Sequence, residues 1–305
     1  METVLQVQNV SKVIKGKTLV DNISFSVNQG EVFGFLGPNG AGKTTTIRML
    51  VGLISPSSGE IKIGGYNIST EFKDAMRQVG CIVENPELYS YLTGYQNLVQ
   101  FGRMLGTVDE RRIEEVVKMV HLDERIHEKV KNYSLGMKQR LGIAQALLGA
   151  PKLLILDEPT NGLDPAGIRE LREFIHSLVK EQNISVFISS HLLSEIQMIC
   201  DRVGIIHKGK IVRVSSVEEL VNTAAEQVEW NVSPIEKAKR LLNTFDELKE
   251  LTLIDDKIVC RMPLTLIKYA TKKLVSEGVD INSVRPLTVT LEDLFMQMTG
   301  GDLHA

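Results

Sequence analysis

Apolar runs and helical periods alternate along the first two thirds of the chain. Val32–Leu36 and Leu153–Leu156 are almost unbroken apolar runs, and Ser185–Ser189 has a similar character. A strand in the middle of a parallel sheet is covered on both faces, so such runs predict buried parallel strands. After Asp164, apolar residues recur every three or four positions, which predicts an amphipathic helix. Strands that alternate with helices in this way predict an α/β domain.

The pattern changes twice along the chain. Residues from about 85 to 150 show helical periods and little strand character, which predicts an inserted helical subdomain. After about residue 217 we predict a strand, a helix, two strands, a helix and a strand, followed by a closing helix over Leu291–Met298. We therefore expect an α/β domain over residues 1–216 and a small α+β domain over residues 217–305.

Composition narrows the class of protein. The formal net charge of the 305 residues is −3, so no global basic field attracts nucleic acid, and we expect no nucleic-acid partner. No apolar run approaches the ~18 residues of a membrane span, and the first residues lack the pattern of a signal peptide. The three cysteines lie far apart, which disfavours a disulfide frame or a zinc site. Any membrane role is expected to come through a partner.

The stretch from Gly37 to Thr44 follows the first apolar run and fits the phosphate-binding pattern G-x-x-x-x-G-K-[ST]. Glycines let backbone N–H groups surround an anion, and a helix starting near Gly42 adds the positive end of its dipole. Lys43 is expected to contact the β- and γ-phosphates of ATP, and Thr44 to bind Mg²⁺. A glycine-rich turn that fits by chance is the alternative. The predicted nucleotide-binding residues are Gly37, Asn39, Gly40, Ala41, Gly42, Lys43, Thr44 and Thr45.

Two carboxylates end the second apolar run. A carboxylate at the end of a buried strand, beside a phosphate loop, can hold Mg²⁺ through water, which is the role expected of Asp157. The next residue, Glu158, is placed to polarise the attacking water. The alternative is a strand that merely ends in an acidic turn, and the nearby phosphate loop makes that alternative less favourable.

Three further stretches carry residues of possible function. Ser134 and Gly136 begin a predicted helix, whose N-terminus is a second anion site. Asp164 precedes the next predicted helix, and His191 follows the third strand-like run. Each also has a structural interpretation, because Ser134 and Asp164 are good helix N-caps and a lone histidine is usually structural.

The order of these motifs resembles that of the ATP-binding-cassette (ABC) ATPases, over residues 1 to about 216. The resemblance implies a P-loop fold of the ABC type and a head-to-tail dimer, which ATP closes and hydrolysis opens. It also implies a membrane partner that converts this cycle into transport. The resemblance implies that Glu158 and His191 are catalytic residues and that Asp164 belongs to the D-loop. It also implies a signature segment that contacts the ATP held by a second copy, formed by Ser134, Leu135, Gly136 and Met137.

Residues 34–53, 134–148, 153–165, 188–196 and 291–300 resemble more narrowly the ATPase subunits of bacterial exporters for bacitracin and lantibiotics. In such systems the permease is a separate multi-span chain, and the ATPase carries a small C-terminal domain. The resemblance implies a peptide antibiotic or a similar amphipathic compound as cargo. It also implies that the protein is held at the cytoplasmic face of the membrane by the permease.

Two residues depart from the family pattern, and one group of tyrosines has two possible interpretations. Ile14 stands where the family usually has an aromatic residue that stacks on adenine, so base selectivity is expected to be loose. Glu84 stands where glutamine is usual, and we expect it to be a third metal ligand beside Thr44 and Asp157. The tyrosines that follow are either a docking surface for the permease or the core of the helical subdomain; they are Tyr89, Tyr91 and Tyr95.

Two other functions stay open from the sequence. One is a cassette protein acting in translation or DNA metabolism, but such proteins usually carry two cassettes or a coiled-coil insertion and favour basic surfaces. This chain has one cassette and a net charge of −3. The other is a regulatory nucleotide-binding module without turnover, which the complete set of catalytic residues disfavours.

Overall fold

The computed structural model describes residues 2–106, 108–225 and 227–287. These residues belong to two compact units, Met1–Val217 and Glu218–Ala305, and each unit has its own hydrophobic core. The predicted closing helix over Leu291–Met298 lies outside the described residues.

The first unit contains two sheets and a set of helices. Its strands are β1 (Thr3–Ile14), β2 (Lys17–Asn28), β3 (Val32–Leu36), β4 (Ser58–Ile63), β5 (Tyr66–Asn67), β6 (Val79–Ile82), β7 (Leu153–Asp157), β8 (Ser185–Ser190), β9 (Arg202–His207) and β10 (Lys210–Ser216). Its helices are α1 (Lys43–Leu50), α2 (Phe72–Met76), α3 (Gly94–Leu105), α4 (Glu110–Met119), α5 (Leu135–Leu147), α6 (Pro165–Gln182) and α7 (Leu193–Ile199). Helix α8 (Val217–Ala225) begins at the last residue of this unit.

The main sheet has six strands in the order β10-β9-β3-β8-β7-β6. Five of them run parallel, and β10 pairs with β9 in an antiparallel hairpin. Every residue of β3 and β7 is buried, which confirms the prediction of central parallel strands from unbroken apolar runs. Because parallel strands point the same way, the segments that follow β3, β7 and β8 meet at one edge of the sheet.

The second sheet is antiparallel, with the order β2-β1-β4-β5. Its buried side chains share one core with the main sheet. Phe25 from β2 stacks on Phe33 and Phe187 of the main sheet, with ring centroids 5.5 and 5.9 Å apart. Such stacked aromatic pairs bury large apolar areas, so they fix the second sheet against the first.

Helices α3, α4 and α5 occupy the region in which a helical subdomain was predicted. Each has a side-chain cap, supplied by Thr93, Asp109 and Ser134, whose oxygens accept from N–H groups of the first turn. The sequence predicts a short helix over residues 72–79. This prediction is wrong at its C-terminal end, since α2 stops at Met76 and Val79 already pairs with β7. Among the described residues, no helix is both long and apolar enough to cross a bilayer.

The second unit is a small α+β unit, and after α8, which was not predicted, its described elements follow the predicted order. The elements after α8 are β11 (Gln227–Ser233), α9 (Ile235–Leu242), β12 (Lys249–Ile254), β13 (Lys257–Arg261), α10 (Ile267–Ser276) and β14 (Asp280–Pro286). The sheet order is β12-β13-β11-β14, with all pairs antiparallel. Alternate residues of β11 are buried, among them Trp230, and they pack with residues of α9 and α10. One face of the sheet therefore carries the core.

Candidate active site

The phosphate loop connects β3 to α1 and is tied down on two sides. Gly37 N–H donates to the carbonyl of Ser190 at 3.3 Å, and Gly209 N–H donates to the carbonyl of Ala41 at 2.9 Å. Gly42 has φ +111°, a left-handed conformation that glycine adopts without steric cost. The loop is thus held at the sheet edge, with the N-terminus of α1 beginning at its end.

Lys43 places a buried cation over this loop. Its side chain is only 5% exposed, and its Nζ donates to the carbonyl of Gly37 at 2.7 Å. The same Nζ lies 3.1 Å from Oε1 of Glu158. A buried cation beside a helix N-terminus favours an anion such as a phosphate group.

Asp157 ends β7 and is held by hydroxyl groups. Ser189 Oγ donates to its Oδ1 at 2.5 Å, and the Thr44 hydroxyl also forms a hydrogen bond with it. Burial raises the pKa of Asp157, and these two hydrogen bonds offset the shift only in part. Asp157 and Thr44 therefore present hard oxygen atoms side by side, of the type that Mg²⁺ prefers.

Glu158 connects Lys43 to His191. Its Oε2 lies 2.5 Å from His191 Nδ1 and accepts from Asn161 Nδ2 at 3.2 Å. Its backbone has φ +50°, and its N–H donates to Ser189 Oγ at 2.9 Å. Burial acts to raise the pKa of Glu158, but the hydrogen bond with His191 and the charge of Lys43 outweigh it and hold the pKa below its ordinary value. Glu158 is thus an ionised carboxylate at neutral pH, able to accept a proton or orient water.

Two cavities lie at these residues and share Thr44 and Glu158 in their linings. The larger, about 570 Å³, is lined by Lys17, Thr18, Leu19, Asn39, Gly40, Gly42, Lys43, Thr44, Thr45, Glu158, Lys208 and Gly209. The second, about 350 Å³, is lined by Thr44, Glu84, Asn85, Leu135, Gln139, Asp157, Glu158 and Asn161. The first brings most of the predicted nucleotide-binding residues into one pocket, and the second brings the three predicted metal ligands into another.

The donor set of the second cavity fits Mg²⁺ bound together with a nucleotide. Among the described residues, no group of three or more His, Cys, Asp or Glu side chains could hold a metal ion alone. Mg²⁺ commonly takes one or two protein oxygens, with phosphates and waters completing its shell. Thr44 and Asp157 can supply those protein oxygens.

Glu84 has a second partner in the structure. Its carboxylate lies 2.6 Å from a guanidinium nitrogen of Arg48 in α1, and the two side chains are 61% and 46% exposed. Glu84 therefore lines the metal-side cavity while it is ion-paired with the helix of the phosphate loop. A metal role for Glu84 stays a prediction.

The predicted residues of the signature and the D-loop have local structural roles. Ser134 Oγ accepts from Met137 N–H at 3.2 Å, and Asp164 Oδ1 accepts from Gly167 N–H at 2.9 Å. Leu135 lines the second cavity, whereas Ser134 and Asp164 do not. The N-cap interpretation is correct for both residues, and their roles toward a second copy stay predictions.

Several residues of the two pockets are not predicted by any motif in the sequence. Lys17 is the first residue of β2 and Lys208 lies between β9 and β10; both are far from any motif, and both line the pocket of the phosphate loop. Ile14 does not line that pocket; it is the last residue of β1 and is 41% exposed. The sequence did offer one signal for Ser189, which is a pair of serines at the end of an apolar strand. Polar side chains in such a buried place must find hydrogen-bond partners.

Comparison with known proteins agrees with this geometry. The family model described as "ABC transporter" matches residues 20–161. The chain is 48% identical to the uncharacterized ABC transporter ATP-binding protein YhcH of Bacillus subtilis (strain 168), over 98% of this chain and 97% of that protein. It is 43% identical to the bacitracin transport ATP-binding protein BcrA of Bacillus licheniformis, over 99% of each chain. A solved structure described as the ATP binding subunit of an ABC transporter matches with a TM-score of 0.63 and 31% identity, over 72% of this chain and 92% of that one.

These similarities extend along almost the whole chain, and the phosphate loop, the acidic strand end and the histidine meet at one site as the sequence predicts. The chain belongs to the ABC transporter family, as an ATP-binding and ATP-hydrolysing subunit.

Proposed function

We propose that this ATPase powers export, through a separate membrane permease, of a peptide antibiotic or a similar amphipathic compound. The observation that carries the proposal is the end-to-end similarity, 43% identity over 99% of each chain, to a bacitracin transport protein. The relatives described above give no support to a role in translation or DNA metabolism.

In the proposed reaction, Lys43 binds the terminal phosphates and Glu158 polarises the attacking water. His191, 2.5 Å from Glu158, holds that carboxylate in position. Thr44 and Asp157 hold Mg²⁺, which when bound neutralises charge that develops on the phosphates. The depressed pKa of Glu158 keeps this carboxylate ionised at neutral pH, as a residue that orients water requires.

A second copy of the chain is expected to complete the site. The N-terminus of α5 offers N–H groups and an exposed Leu135, and such a terminus favours an anionic group. We infer that Ser134–Met137 contacts ATP held by the other copy and that Asp164 lies in the same interface.

The permease is expected to contact the exposed tyrosines that follow β6. Tyr91 is 67% exposed and its ring centroid lies 6.0 Å from that of Tyr89, which stacks on Phe101. Aromatic residues are common anchors at protein interfaces. Tyr95 instead packs beside His127, with ring centroids 5.5 Å apart, and is less available. Binding there would place the protein at the cytoplasmic face of the membrane.

We also propose that residues 1–216 and 217–305 are separate domains, the first an ABC nucleotide-binding domain and the second an accessory α+β domain. The division of the structure into compact units after Val217 supports this proposal.

The export proposal is tested in cells that produce the chain. Deleting its gene should lower the concentration of bacitracin that stops growth, and wild-type protein should restore it while Glu158→Gln should not. The chain purified from membranes should carry a multi-span protein, and adding bacitracin to that complex should raise ATP hydrolysis. Unchanged susceptibility of the deletion strain, together with a purified complex that bacitracin leaves unstimulated, would refute bacitracin as the cargo.

A further inference from the structure

Glu195 is a buried carboxylate that the reaction described above does not use. It lies in the first turn of α7 and is 7% exposed. Its Oε2 accepts from Thr160 Oγ1 at 2.6 Å and from Ser190 Oγ at 2.8 Å. Both donors are neutral hydroxyl groups. Burying a carboxylate costs free energy unless its partners compensate, so this placement calls for a reason.

The two donors come from the segments that carry the catalytic residues. Thr160 is two residues after Glu158, in the segment that follows β7, and Ser190 directly precedes His191, at the end of β8. One carboxylate oxygen therefore joins both segments. The contact between Glu158 Oε2 and His191 Nδ1, at 2.5 Å, spans the same two segments.

Ser189 makes the matching connection on the other face of the sheet. Successive residues of a strand project to opposite faces. Ser189 Oγ donates to Asp157 at 2.5 Å and accepts from the N–H of Glu158 at 2.9 Å, whereas Ser190 donates to Glu195. The ends of β7 and β8 are thus tied from both faces, and Ser190 also accepts from Gly37 of the phosphate loop through its carbonyl.

We propose that Glu195 is a positioning residue for ATP hydrolysis, which sets the distance between Glu158 and His191 by binding Thr160 and Ser190 at once. The inference rests on the proposed roles of Glu158 and His191. Without the shared acceptor, Thr160 and Ser190 would lose the link between them, and the bonds of Ser189 to Asp157 and Glu158 would remain on the other face. The segments after β7 and β8 would then be tied from one face instead of two.

The effects on kcat and on ATP affinity distinguish a positioning role for Glu195 from a role in nucleotide binding. Glu195 lines neither cavity of the site, and the contacts of Lys43 with Gly37 do not pass through it. Loss of Glu195 should therefore lower kcat while the affinity for ATP changes little. Misplacement of a catalytic group by about 1 Å can cost on the order of 100-fold in rate, so we expect kcat to fall about ten- to a hundredfold.

The test uses the full-length chain, the single variants Glu195→Ala, Glu195→Gln, Thr160→Val and Ser190→Ala, and the double variant Thr160→Val/Glu195→Ala. Each is assayed for steady-state kcat and KM, for binding of a fluorescent ATP analogue and for Tm. Glu195→Gln keeps an oxygen acceptor and should recover most of the rate that Glu195→Ala loses. Thr160→Val should lose part of the rate alone and nothing further in the Glu195→Ala background, because both changes break one network. Glu173→Ala, an exposed glutamate on α6, is the matched control and should behave as wild type.

Several results would overturn the proposal. One is a Glu195→Ala variant with kcat within twofold of wild type, and another is a loss of rate matched by an equal loss of ATP affinity. Should Glu195→Ala fail to fold, wild-type kcat in both Thr160→Val and Ser190→Ala would overturn it as well. If Glu158→Gln itself keeps full turnover, the proposed role of Glu158 fails and this inference fails with it. If Glu158→Gln is inactive and the Glu195 variants are not impaired, only the positioning role of Glu195 fails.

Discussion

Replacing Glu158 by glutamine should slow hydrolysis and tighten nucleotide binding at the same time. The substitution keeps the size of the side chain and removes its charge. A general base or water-orienting group typically contributes about 10²–10⁴-fold to the rate, so kcat should fall by about that factor.

The effect on binding follows from Lys43. Its Nζ lies 3.1 Å from Glu158, with side chains 5% and 18% exposed, so water screens the pair weakly. A hydrogen bond to a charged group contributes about 1.5–3 kcal/mol, and a neutral amide would retain part of it. Since Lys43 must turn toward phosphate, losing the competing carboxylate should lower the Kd for ATP about tenfold, which corresponds to 1.4 kcal/mol.

The assay measures phosphate release in a single turnover and the Kd of a fluorescent ATP analogue. Size-exclusion chromatography of the variant with ATP should show a dimer, because ATP is held without being hydrolysed. Glu173→Gln on α6 is the matched control for charge removal. Turnover within threefold of wild type would refute a catalytic role for Glu158, and an unchanged Kd would refute competition for Lys43.

Three further predictions concern the base, the metal and the buried aspartate. Ile14 offers no ring for stacking, which is worth about 1–3 kcal/mol per base, so ATP and GTP should have kcat/KM values within about tenfold of each other; a preference of two decades for ATP would contradict this. Glu84→Gln should shift the Mg²⁺ concentration that gives half-maximal rate, while Tm changes little, because its exposed pair with Arg48 is worth at most about 1 kcal/mol. If the Mg²⁺ titrations of wild type and Glu84→Gln superimpose, Glu84 has no metal role and only its ion pair with Arg48 remains. Burial raises the pKa of Asp157 above its ordinary value. The stability linked to its protonated form is therefore present below the ordinary pKa and is lost as pH rises through the raised one. Asp157→Asn should therefore have a higher Tm than wild type at neutral pH without nucleotide, by a few degrees, and the difference should grow as pH rises from 4; a constant difference would show that Asp157 ionises normally.

Much of the fold and of the site followed from local sequence. Val32–Leu36 and Leu153–Leu156 were predicted as buried strands because an unbroken apolar run fits only a position covered on both faces. The phosphate loop was predicted with its flanking strand and helix, since glycine spacing and the residues Lys43 and Thr44 are fixed by what a phosphate group needs. Helix starts at Ser134 and Asp164 followed from N-cap chemistry, which involves only a few neighbouring residues.

Tertiary structure alone decided how these pieces meet. The sequence did not show that Arg48 binds Glu84 or that Glu195 joins Thr160 to Ser190. Nor did it show that Lys17 and Lys208 line the pocket of the phosphate loop. Each of these contacts joins segments that are far apart in the chain, and their distance depends on strand order and on the packing of a whole sheet. Helix α2 is shorter than the sequence predicts for a related reason. Val79 gains a partner in β7, and pairing with a distant strand outweighs a weak local helical preference.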